Sequence, residues 1–380
     1  MIILYLKLDN VLAFNDFEVS FSYPNKLRKT TIPNEHVSNI PSFRYKKVNI
    51  FMGTNATGKT SLMKVIWNML AFLNNKDINV IKRILNNNKK ESSVIMDFIQ
   101  MKDNQNILNR VMVLYHKEKF EMGIKTLPLK PGDSYEKRKK DFDKKITHYL
   151  SYPECVQKFD ISSGWNIVLP ATDFGFDKVN FIKTNNKQES GEYLTILNNV
   201  LKTLDPSIEG ISKINQADNA YIIKHENIDN IVIQDGMSIL DIDYLSSGTK
   251  YGINLANIIF SIKKHRNGIY LVDEQFSYVN SEIESSVLST MISLLGDDEQ
   301  LFFTTHNTNI LDMNLPFHSF YFMKKENAHS TKTISVFCAS EVENRNNVSA
   351  KTIVDNDLFA TAPDTDKIFA LANDPKDGDE

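Results

Sequence analysis

One stretch near the start of the chain has the residue types and spacing of a phosphate-binding loop. The segment GTNATGKT, which begins at Gly53, matches the pattern GxxxxGK followed by Ser or Thr. Glycines let the backbone wrap closely enough for successive N–H groups to point at a phosphate, and the positive end of the following helix faces the same anion. Lys59 is expected to reach the β- and γ-phosphates of a nucleotide, and the Thr60 hydroxyl to bind Mg²⁺. The predicted nucleotide-binding residues are Gly53, Thr54, Asn55, Ala56, Thr57, Gly58, Lys59, Thr60 and Ser61.

The residues on either side of this segment have the patterns of the elements that such a loop joins. The apolar run VNIFMG before it predicts a strand, and the residues from Lys59 to about Leu73 predict a helix that is apolar almost all round. A chance match to the loop pattern would not carry this context. The sequence therefore predicts a strand, a phosphate-binding loop and a buried helix in succession.

A strand with two acids at its end follows much later in the chain. In GIYLVDE, four apolar residues from Ile269 to Val272 precede Asp273 and Glu274. Ligands bind at the carboxyl ends of the strands in open α/β sheets, which is where these two carboxylates are expected. Asp273 would hold the Mg²⁺, and Glu274 would polarise an attacking water. An ordinary strand that ends in surface acids is the alternative, and the preceding phosphate-binding loop disfavours it.

Two further short motifs flank the acidic strand. Ser246, Ser247 and Gly248 precede a helix with regularly spaced apolar residues, and His306 ends the strand LFFTTH. Serine and glycine at a helix start can simply form a helix cap, and a lone histidine is more often structural than catalytic. The order of the motifs around the acidic strand instead favours roles at a phosphate, with His306 in contact with the γ-phosphate.

Taken in order, these motifs carry a family resemblance. GTNATGKTS, YLSSGTK, LVDE and TTH resemble the P-loop, signature, Walker B and switch histidine of the ABC-ATPase superfamily. The paired opening strands are similar to the heads of its RecF, Rad50 and structural-maintenance-of-chromosomes (SMC) branch. The resemblance implies an enzyme that hydrolyses ATP with Mg²⁺, in which Lys59, Glu274 and His306 are catalytic. It also implies that the serine–serine–glycine signature acts in trans, completing the ATP site of a second copy in a homodimer or higher homo-oligomer.

The sequence departs from the family pattern at several positions. LSSGT stands in place of LSGGQ, Gln275 replaces the proline common after the Walker B glutamate, and Ser277 to Asn280 resemble a degenerate D-loop. Gln100 is a candidate for the glutamine of the Q-loop. The altered signature is compatible with ATP sensing and with slow turnover.

A narrower resemblance covers the carboxyl-terminal half. LKTLDPSIEGI, LSSGTKYGI, TTHNTNILD and ENRNNVSAKTIVDNDLFATAPD are similar to segments of the stand-alone AAA-type ATPases of bacterial anti-phage operons. These include the AbiL/RloA ATPases and the PARIS subunit AriA. This implies an ATP-dependent sensor that restrains or activates a separately encoded nuclease or toxin. The alternative is a RecF/Rad50-like ATPase of DNA repair or recombination that clamps DNA; a transport subunit and a fused nuclease fit the motifs less well.

Two weaker signals have ordinary explanations. The segment NKQE, Asn186 to Glu189, imitates the guanine-reading motif of GTPases but ends in Glu rather than Asp, and it precedes the signature. The basic run from Lys137 to Lys140 could meet nucleic acid, but the interspersed acids favour a solvated helix face. Nucleic acid is therefore a possible partner and not a required one.

Composition restricts the class of protein. The chain has 380 residues and a net charge of −3, and its hydrophobic and charged fractions of 42% and 24% are ordinary for a globular protein. Its two cysteines, Cys155 and Cys338, argue against a disulfide framework or a zinc site. No apolar run approaches the ~18 residues of a membrane span, and no cleavable leader is recognised. A cytoplasmic protein without membrane association is expected.

The order of the elements predicts the architecture. Alternating strands and helices after Ser246 predict an α/β fold with a mostly parallel core sheet, as in an ABC-ATPase head. The two opening strands and a strand pair at 93–123 predict an antiparallel amino-terminal β subdomain, and the charged stretch after Lys125 predicts a short, mainly helical insertion. The predicted domains are an amino-terminal lobe of the head with the P-loop (1–124), the insertion (125–195), a carboxyl-terminal lobe with the signature, Walker B and switch histidine (196–370), and an acidic tail (371–380).

Overall fold

The fold is taken from a computed structural model of the chain. The structure describes residues 1–24, 30–86, 90–143, 150–154, 181–217, 219–226, 229–235, 247–274, 280–328, 331–342 and 351. The strands are β1 (Ile2–Asp9), β2 (Phe17–Ser20), β3 (His36–Val37), β4 (Ile40–Arg44), β5 (Val48–Met52), β6 (Ser92–Lys102), β7 (Gln105–His116), β8 (Lys119–Pro128), β9 (Leu150–Ser151), β10 (Ile208–Lys213), β11 (Ala220–His225), β12 (Ile231–Gln234), β13 (Ile269–Asp273), β14 (Gln300–Thr305), β15 (Phe320–Ala328) and β16 (Thr331–Cys338). The α-helices are α1 (Lys59–Asn75), α2 (Ile78–Lys82), α3 (Tyr135–Phe142), α4 (Lys187–Leu204), α5 (Ser247–Lys263), α6 (Ser281–Leu294) and α7 (Ala339–Val342), with 3₁₀ turns at Thr308–Asp312 and Phe317–Ser319.

A five-stranded sheet forms the centre of the molecule, in the order β13-β14-β5-β15-β16. The first four strands are parallel, and β16 runs antiparallel to β15. Every residue of β5, β13 and β14 is buried, as expected for parallel strands that are covered on both faces. The mostly parallel core sheet predicted from the alternating elements is confirmed.

The register of the three buried strands aligns their carboxyl ends. Asp273 of β13 lies opposite Thr304 of β14, and Thr305 lies opposite Met52 of β5. Gly53 comes directly after β5, and His306 directly after β14. The loop, the acidic pair and the histidine therefore meet at one edge of the sheet, because each follows a strand that ends at the same level.

Helices cover both faces of this sheet. The side chains of β5 alternate between two apolar clusters, as the pleat of a strand requires. Phe51 belongs to the cluster that contains α1 and the antiparallel sheet, whereas Ile50 and Met52 belong to the cluster that contains α5 and α6. Consequently α1 and α5 pack on opposite faces of the central sheet.

The amino-terminal region forms a six-stranded antiparallel sheet, in the order β2-β1-β6-β7-β8-β9. The sequence predicted a strand pair at 93–123, but the structure has a three-stranded meander of β6, β7 and β8. Each turn of the meander has two residues at positive φ, Asp103–Asn104 (49° and 60°) and Lys117–Glu118 (47° and 65°), which suits two-residue hairpin loops. The second turn has neither the glycine nor the asparagine typical of such loops, so the sequence pattern gave no sign of it.

A third, three-stranded sheet of β10, β11 and β12 packs with α4 and α5. Buried aromatic residues fill this contact, with Tyr193 of α4 beside Phe260 of α5 and Tyr221 of β11. The Tyr193 hydroxyl also donates a hydrogen bond of 2.7 Å to the side-chain oxygen of Asn257. Strand β10, at one edge of this sheet, was not predicted from the sequence.

The charged stretch after Lys125 is described only in part. It contains α3, β9 and the start of α4, while residues 155–180 lie outside the described residues, so the boundaries of the insertion stay a prediction. On α3, Arg138 pairs with Asp133 and Lys139 with Asp143, which favours a solvated helix face for the basic run. No helix in the described part of the chain is long and apolar enough to cross a membrane.

A buried ion pair attaches α3 to the antiparallel sheet. The Arg110 guanidinium on β7 donates two hydrogen bonds of 2.7 Å to the carboxylate of Asp97 on β6, and these side chains are only 7% and 0% exposed. The Tyr135 hydroxyl at the start of α3 donates to the same carboxylate. Arg110 also contacts Asp143 just after α3. Arg110 thus neutralises the buried charge of Asp97.

Replacing Arg110 is expected to destabilise the fold strongly. Arg110→Ala leaves the Asp97 carboxylate buried without a cation, so the free energy of unfolding should fall by about 3–5 kcal/mol. The matched control is Lys139→Ala, which removes a partly exposed ion pair and should cost less than about 1 kcal/mol. Urea unfolding followed by circular dichroism measures both, and similar losses in the two variants would contradict the structural role of Arg110.

Candidate functional site

The backbone conformation of the loop after β5 requires glycine at two positions. Gly53 and Gly58 have φ of 154° and 97°, a region that side chains with a Cβ rarely adopt. A Cβ at Gly53 would lie 2.4 Å from the Met323 carbonyl oxygen, and one at Gly58 would lie 2.8 Å from Ile334 Cδ1. The Thr57 hydroxyl donates a 2.8 Å hydrogen bond to the Thr54 carbonyl and closes the loop. The loop is therefore a tightly wrapped cradle with no room for larger residues at these points.

The amino terminus of α1 is well suited to an anion. Its cap residue is Gly58, so no side chain caps the first N–H groups, and the first turn contains no acidic residue. The helix dipole and the N–H groups of the first turn therefore present uncompensated positive potential. Such an end is a ready site for phosphate.

Lys59 lies at the centre of the site. Its side chain is 2% exposed, and its ammonium donates hydrogen bonds of 2.7 Å and 3.0 Å to the carbonyls of Gly53 and Thr54. The ammonium is also 3.2 Å from Glu274 Oε1. Burial lowers the pKa of Lys59, and the nearby carboxylates of Glu274 and Asp273 oppose this shift. A buried cation with carbonyl partners is positioned to receive the negative charge of phosphate oxygens.

Asp273 and Thr60 bring together the oxygen ligands that Mg²⁺ prefers. The Thr60 hydroxyl hydrogen-bonds the Asp273 carboxylate, and the Thr304 hydroxyl donates a 2.6 Å hydrogen bond to Asp273 Oδ1. Burial raises the pKa of Asp273, and these two hydrogen bonds oppose the shift. Among the described residues no cluster of three or more metal-ligating side chains occurs. One carboxylate and one hydroxyl fit a Mg²⁺ ion that takes its other ligands from phosphates and water.

Glu274 and His306 complete the group of charged residues. Glu274 Oε1 is 3.0 Å from His306 Nε2, and His306 Nδ1 is 3.0 Å from the Gly53 carbonyl oxygen. Glu274 has a φ of 44°, which is uncommon for a residue with a side chain and turns the chain away from β13. The glutamate is 28% exposed and the histidine 35%, whereas Lys59 is buried. The carboxylate and the imidazole can therefore meet both water and a ligand on the loop.

Several other predicted site residues are not part of this charged group, or lie outside the described residues. Ser247 and Gly248 are in the first turn of α5, whereas Ser246 and Gln275 lie outside the described residues, as do residues 277–279 of the predicted D-loop. The Q-loop candidate Gln100 lies on β6 of the antiparallel sheet, opposite Ile107. The roles of all these residues stay predictions.

The segment NKQE has a structural explanation. Asn186 caps α4, and its side-chain oxygen accepts a 2.9 Å hydrogen bond from the Glu189 N–H. Glu189 in turn accepts from the Asn185 N–H at 2.7 Å and pairs with Arg266. This is a capping arrangement at a helix start, and it accounts for both the Asn and the Glu without a guanine base.

Two residues at the site were missed in the sequence. Thr304 lies in the TTH motif but had no predicted role, and Glu284 on α6 was not among the predicted site residues. Glu284 is 4% exposed and accepts a 2.6 Å hydrogen bond from the Thr305 hydroxyl. Burial raises the pKa of Glu284, and the hydrogen bonds from Thr305 and Asn307 oppose this shift. A signal was available: Glu284 shares helical spacing with Leu288 and Met291, so a carboxylate occupies the apolar face of α6.

Comparison with known proteins concerns the fold. No family model matches the sequence, and no curated protein matches it. Among solved structures, an SMC head bound to the C-terminal winged-helix domain of ScpA is 13% identical with a TM-score of 0.50, over 90% of this chain and 100% of that chain. An SMC head with an extended coiled coil, bound to the C-terminal domain of ScpA from Pyrococcus furiosus, is 11% identical with a TM-score of 0.50, over 90% of this chain and 97% of that chain.

These likenesses bear out the fold class. At such identities they concern the arrangement of elements and not activity. The chain has the α/β fold of SMC head domains, with a mostly parallel core sheet and an antiparallel amino-terminal subdomain.

Proposed function

We propose that this chain is an ABC-type ATPase that binds ATP with Mg²⁺, dimerises on it, and regulates a separate effector nuclease or toxin in anti-phage defence. The observation that carries the proposal is the meeting of Lys59, Thr60, Asp273 and Glu274 beside the loop and the uncapped end of α1. This set supplies an anion cradle, a cation for the phosphates, two oxygen ligands for Mg²⁺ and a carboxylate near the bond to be broken. The SMC-head fold supports the ATPase part of this proposal.

The ATP phosphates are held by the loop N–H groups and by Lys59. Bound Mg²⁺ supplies neutralisation of the charge on the β- and γ-phosphates. Thr60 and Asp273 are the side chains that would hold the ion. Since Lys59 contacts Glu274 at 3.2 Å, the carboxylate competes with the phosphates for the same ammonium. Nucleotide binding therefore separates Glu274 from Lys59 and frees the carboxylate to orient water.

Glu274 and His306 serve the hydrolytic step. The Glu274 carboxylate accepts a proton from the attacking water, and the His306 imidazole, 3.0 Å from it, is placed to contact the γ-phosphate. The Gly53 carbonyl, 3.0 Å from Nδ1, orients the histidine ring. Each of these contacts can be made by one chain alone.

The placement of the two helix ends supports the proposed dimer. The loop binds phosphate at the start of α1, whereas the signature lies at the start of α5, which packs on the opposite face of the central sheet. A serine–glycine turn on the far face completes a phosphate site more readily in another copy than in its own. Two copies arranged head to tail would then form two composite sites, each with a loop from one chain and Ser247 and Gly248 from the other.

The role in defence is the most specific part of the proposal. It is supported by the similarity of residues 201–211, 245–253, 304–312 and 343–364 to the stand-alone ATPases of anti-phage operons. ATP occupancy would change the dimer, and the dimer would hold or release the effector. Slow turnover, as the altered signature implies, suits a sensor that reports occupancy.

Glu274→Gln is expected to bind ATP more tightly and to hydrolyse it at least about 100-fold more slowly than the wild type. The neutral amide no longer holds Lys59, which leaves the ammonium free for the phosphates, and it cannot take a proton from water. Calorimetric titration and phosphate release measure the two effects. Glu282→Gln, at an exposed acid of α6, is the matched control and should behave as the wild type. An unchanged hydrolysis rate in Glu274→Gln would remove this glutamate from the mechanism.

Ser247→Arg is expected to abolish ATP-driven dimerisation while leaving ATP binding intact. A long cation at the signature would block the approach of the second copy but would not touch the loop of its own chain. The change is made in the Glu274→Gln background, and the mass in solution with ATP is measured by light scattering. Ser289→Arg, on the exposed side of α6, is the control and should still dimerise. A dimer that survives Ser247→Arg would refute the composite site.

The regulatory role is tested with the products of the neighbouring genes. Co-purification with and without ATP should yield a complex with a nuclease or toxin that assembles or dissociates with the nucleotide. Lys59→Ala, which removes the phosphate-binding cation, should make that complex insensitive to ATP. If the ATP-bound dimer instead binds duplex DNA with a steep salt dependence and no effector is found, the chain is a DNA-repair or recombination ATPase.

A further inference from the structure

The last two residues of β14 face opposite sides of the strand. Thr304 points to the end of β13, and Thr305 points to α6, as the two-residue period of a strand requires. Both side chains are buried, with exposures of 0% and 3%. Each hydroxyl binds a different carboxylate, Asp273 for the first and Glu284 for the second. The strand tip therefore connects two elements of the site through two separate hydrogen bonds.

The Thr304 hydroxyl joins both acids of the site. It donates a 2.6 Å hydrogen bond to Asp273 Oδ1 and accepts a 2.9 Å hydrogen bond from the backbone N–H of Glu274. A hydroxyl has a single proton to donate, so the direction of each hydrogen bond is fixed. The ladder between β13 and β14 ends at the pair Asp273 and Thr304. The Thr304 hydroxyl thus accepts the hydrogen bond of the next N–H, that of Glu274, at the point where the chain leaves the sheet.

This arrangement determines where the two carboxylates lie. The first hydrogen bond fixes the Asp273 side chain beside Thr60, and the second holds the backbone of Glu274 where its φ is 44°. At that φ the Glu274 side chain reaches Lys59 and His306. Without the hydroxyl, Asp273 would lose a charge-assisted hydrogen bond and Glu274 would lose the partner of its N–H.

We propose that Thr304 is a positioning residue that sets the Mg²⁺-binding carboxylate and the water-activating carboxylate in register through one hydroxyl. The proposal rests on the proposed ATPase function and deepens it. It requires a hydroxyl at this position and does not require threonine as such. Thr304 touches neither the loop nor Lys59 through any of these hydrogen bonds, so it acts on the acids and not on the binding of the phosphates.

The test compares Thr304→Val, which keeps the shape and removes the hydroxyl, with Thr304→Ser, which keeps the hydroxyl. Thr304→Val should lower kcat by about 10- to 100-fold, the range expected for loss of a hydrogen bond to a charged group. It should also raise the Mg²⁺ concentration that gives half-maximal activity. ATP affinity measured without Mg²⁺ should change less than about threefold, and Thr304→Ser should restore kcat. Thr126→Val, at an exposed position of β8, controls for the substitution itself and should match the wild type.

The outcomes separate this proposal from the function on which it rests. A wild type that hydrolyses ATP, together with a Thr304→Val variant of unchanged kcat and Mg²⁺ dependence, would overturn only the role of Thr304. So would a Thr304→Val variant that loses Mg²⁺-free ATP affinity and thermal stability as much as it loses kcat, with no rescue by serine, because the effect would then be one on folding. A wild type that neither binds nor hydrolyses ATP would overturn the proposed function and this role with it.

Discussion

The site depends on one constraint, the parallel register of β13, β14 and β5. Because Asp273 pairs with Thr304 and Thr305 with Met52, three chain segments leave the sheet at the same level. A shift of one residue along β14 would turn Thr304 away from β13 and move His306 to the other face. Buried apolar side chains on both faces fix this register. The packing of these strands, away from the site itself, thus determines where the charged groups lie.

The buried charged groups of the site lower the stability of the fold. Burial lowers the pKa of Lys59 and raises those of Asp273 and Glu284. Each shift disfavours the charged form that prevails at neutral pH, so all three groups destabilise the fold under those conditions. They lie at one end of the central sheet and are held by hydroxyls and carbonyls. Such a concentration of costly groups is characteristic of functional sites.

The sequence predicted those features of the fold and the site that depend on a local pattern of residues. The loop, the buried strands and α1 were recognisable because glycine spacing and apolar runs are local properties. A strand pair was predicted in place of the three-stranded meander, because the turn at Lys117–Glu118 has positive φ without the glycine or asparagine typical of such turns. Strands β10 and β16 and the hairpin of β3 and β4 were missed, since their alternation is short or interrupted by polar residues. Thr304 was missed because its role exists only once β13 and β14 pair.

Burial is uneven among the described residues of the site, and this asymmetry bears on the proposed role of a second copy. Lys59 is buried beside Glu274, whereas Asn55 and Ala56 at the tip of the loop are exposed. A phosphate chain in the loop would therefore meet a buried cation, Lys59, together with the partly exposed side chains of Glu274 and His306. Electrostatic interactions strengthen when water is excluded. In the proposed ATPase the buried lysine would therefore serve binding, and covering the exposed groups would strengthen their action on the phosphates. In the proposed dimer the signature of the second copy is the surface that would cover these groups, and assembly would then be coupled to the chemistry of the site.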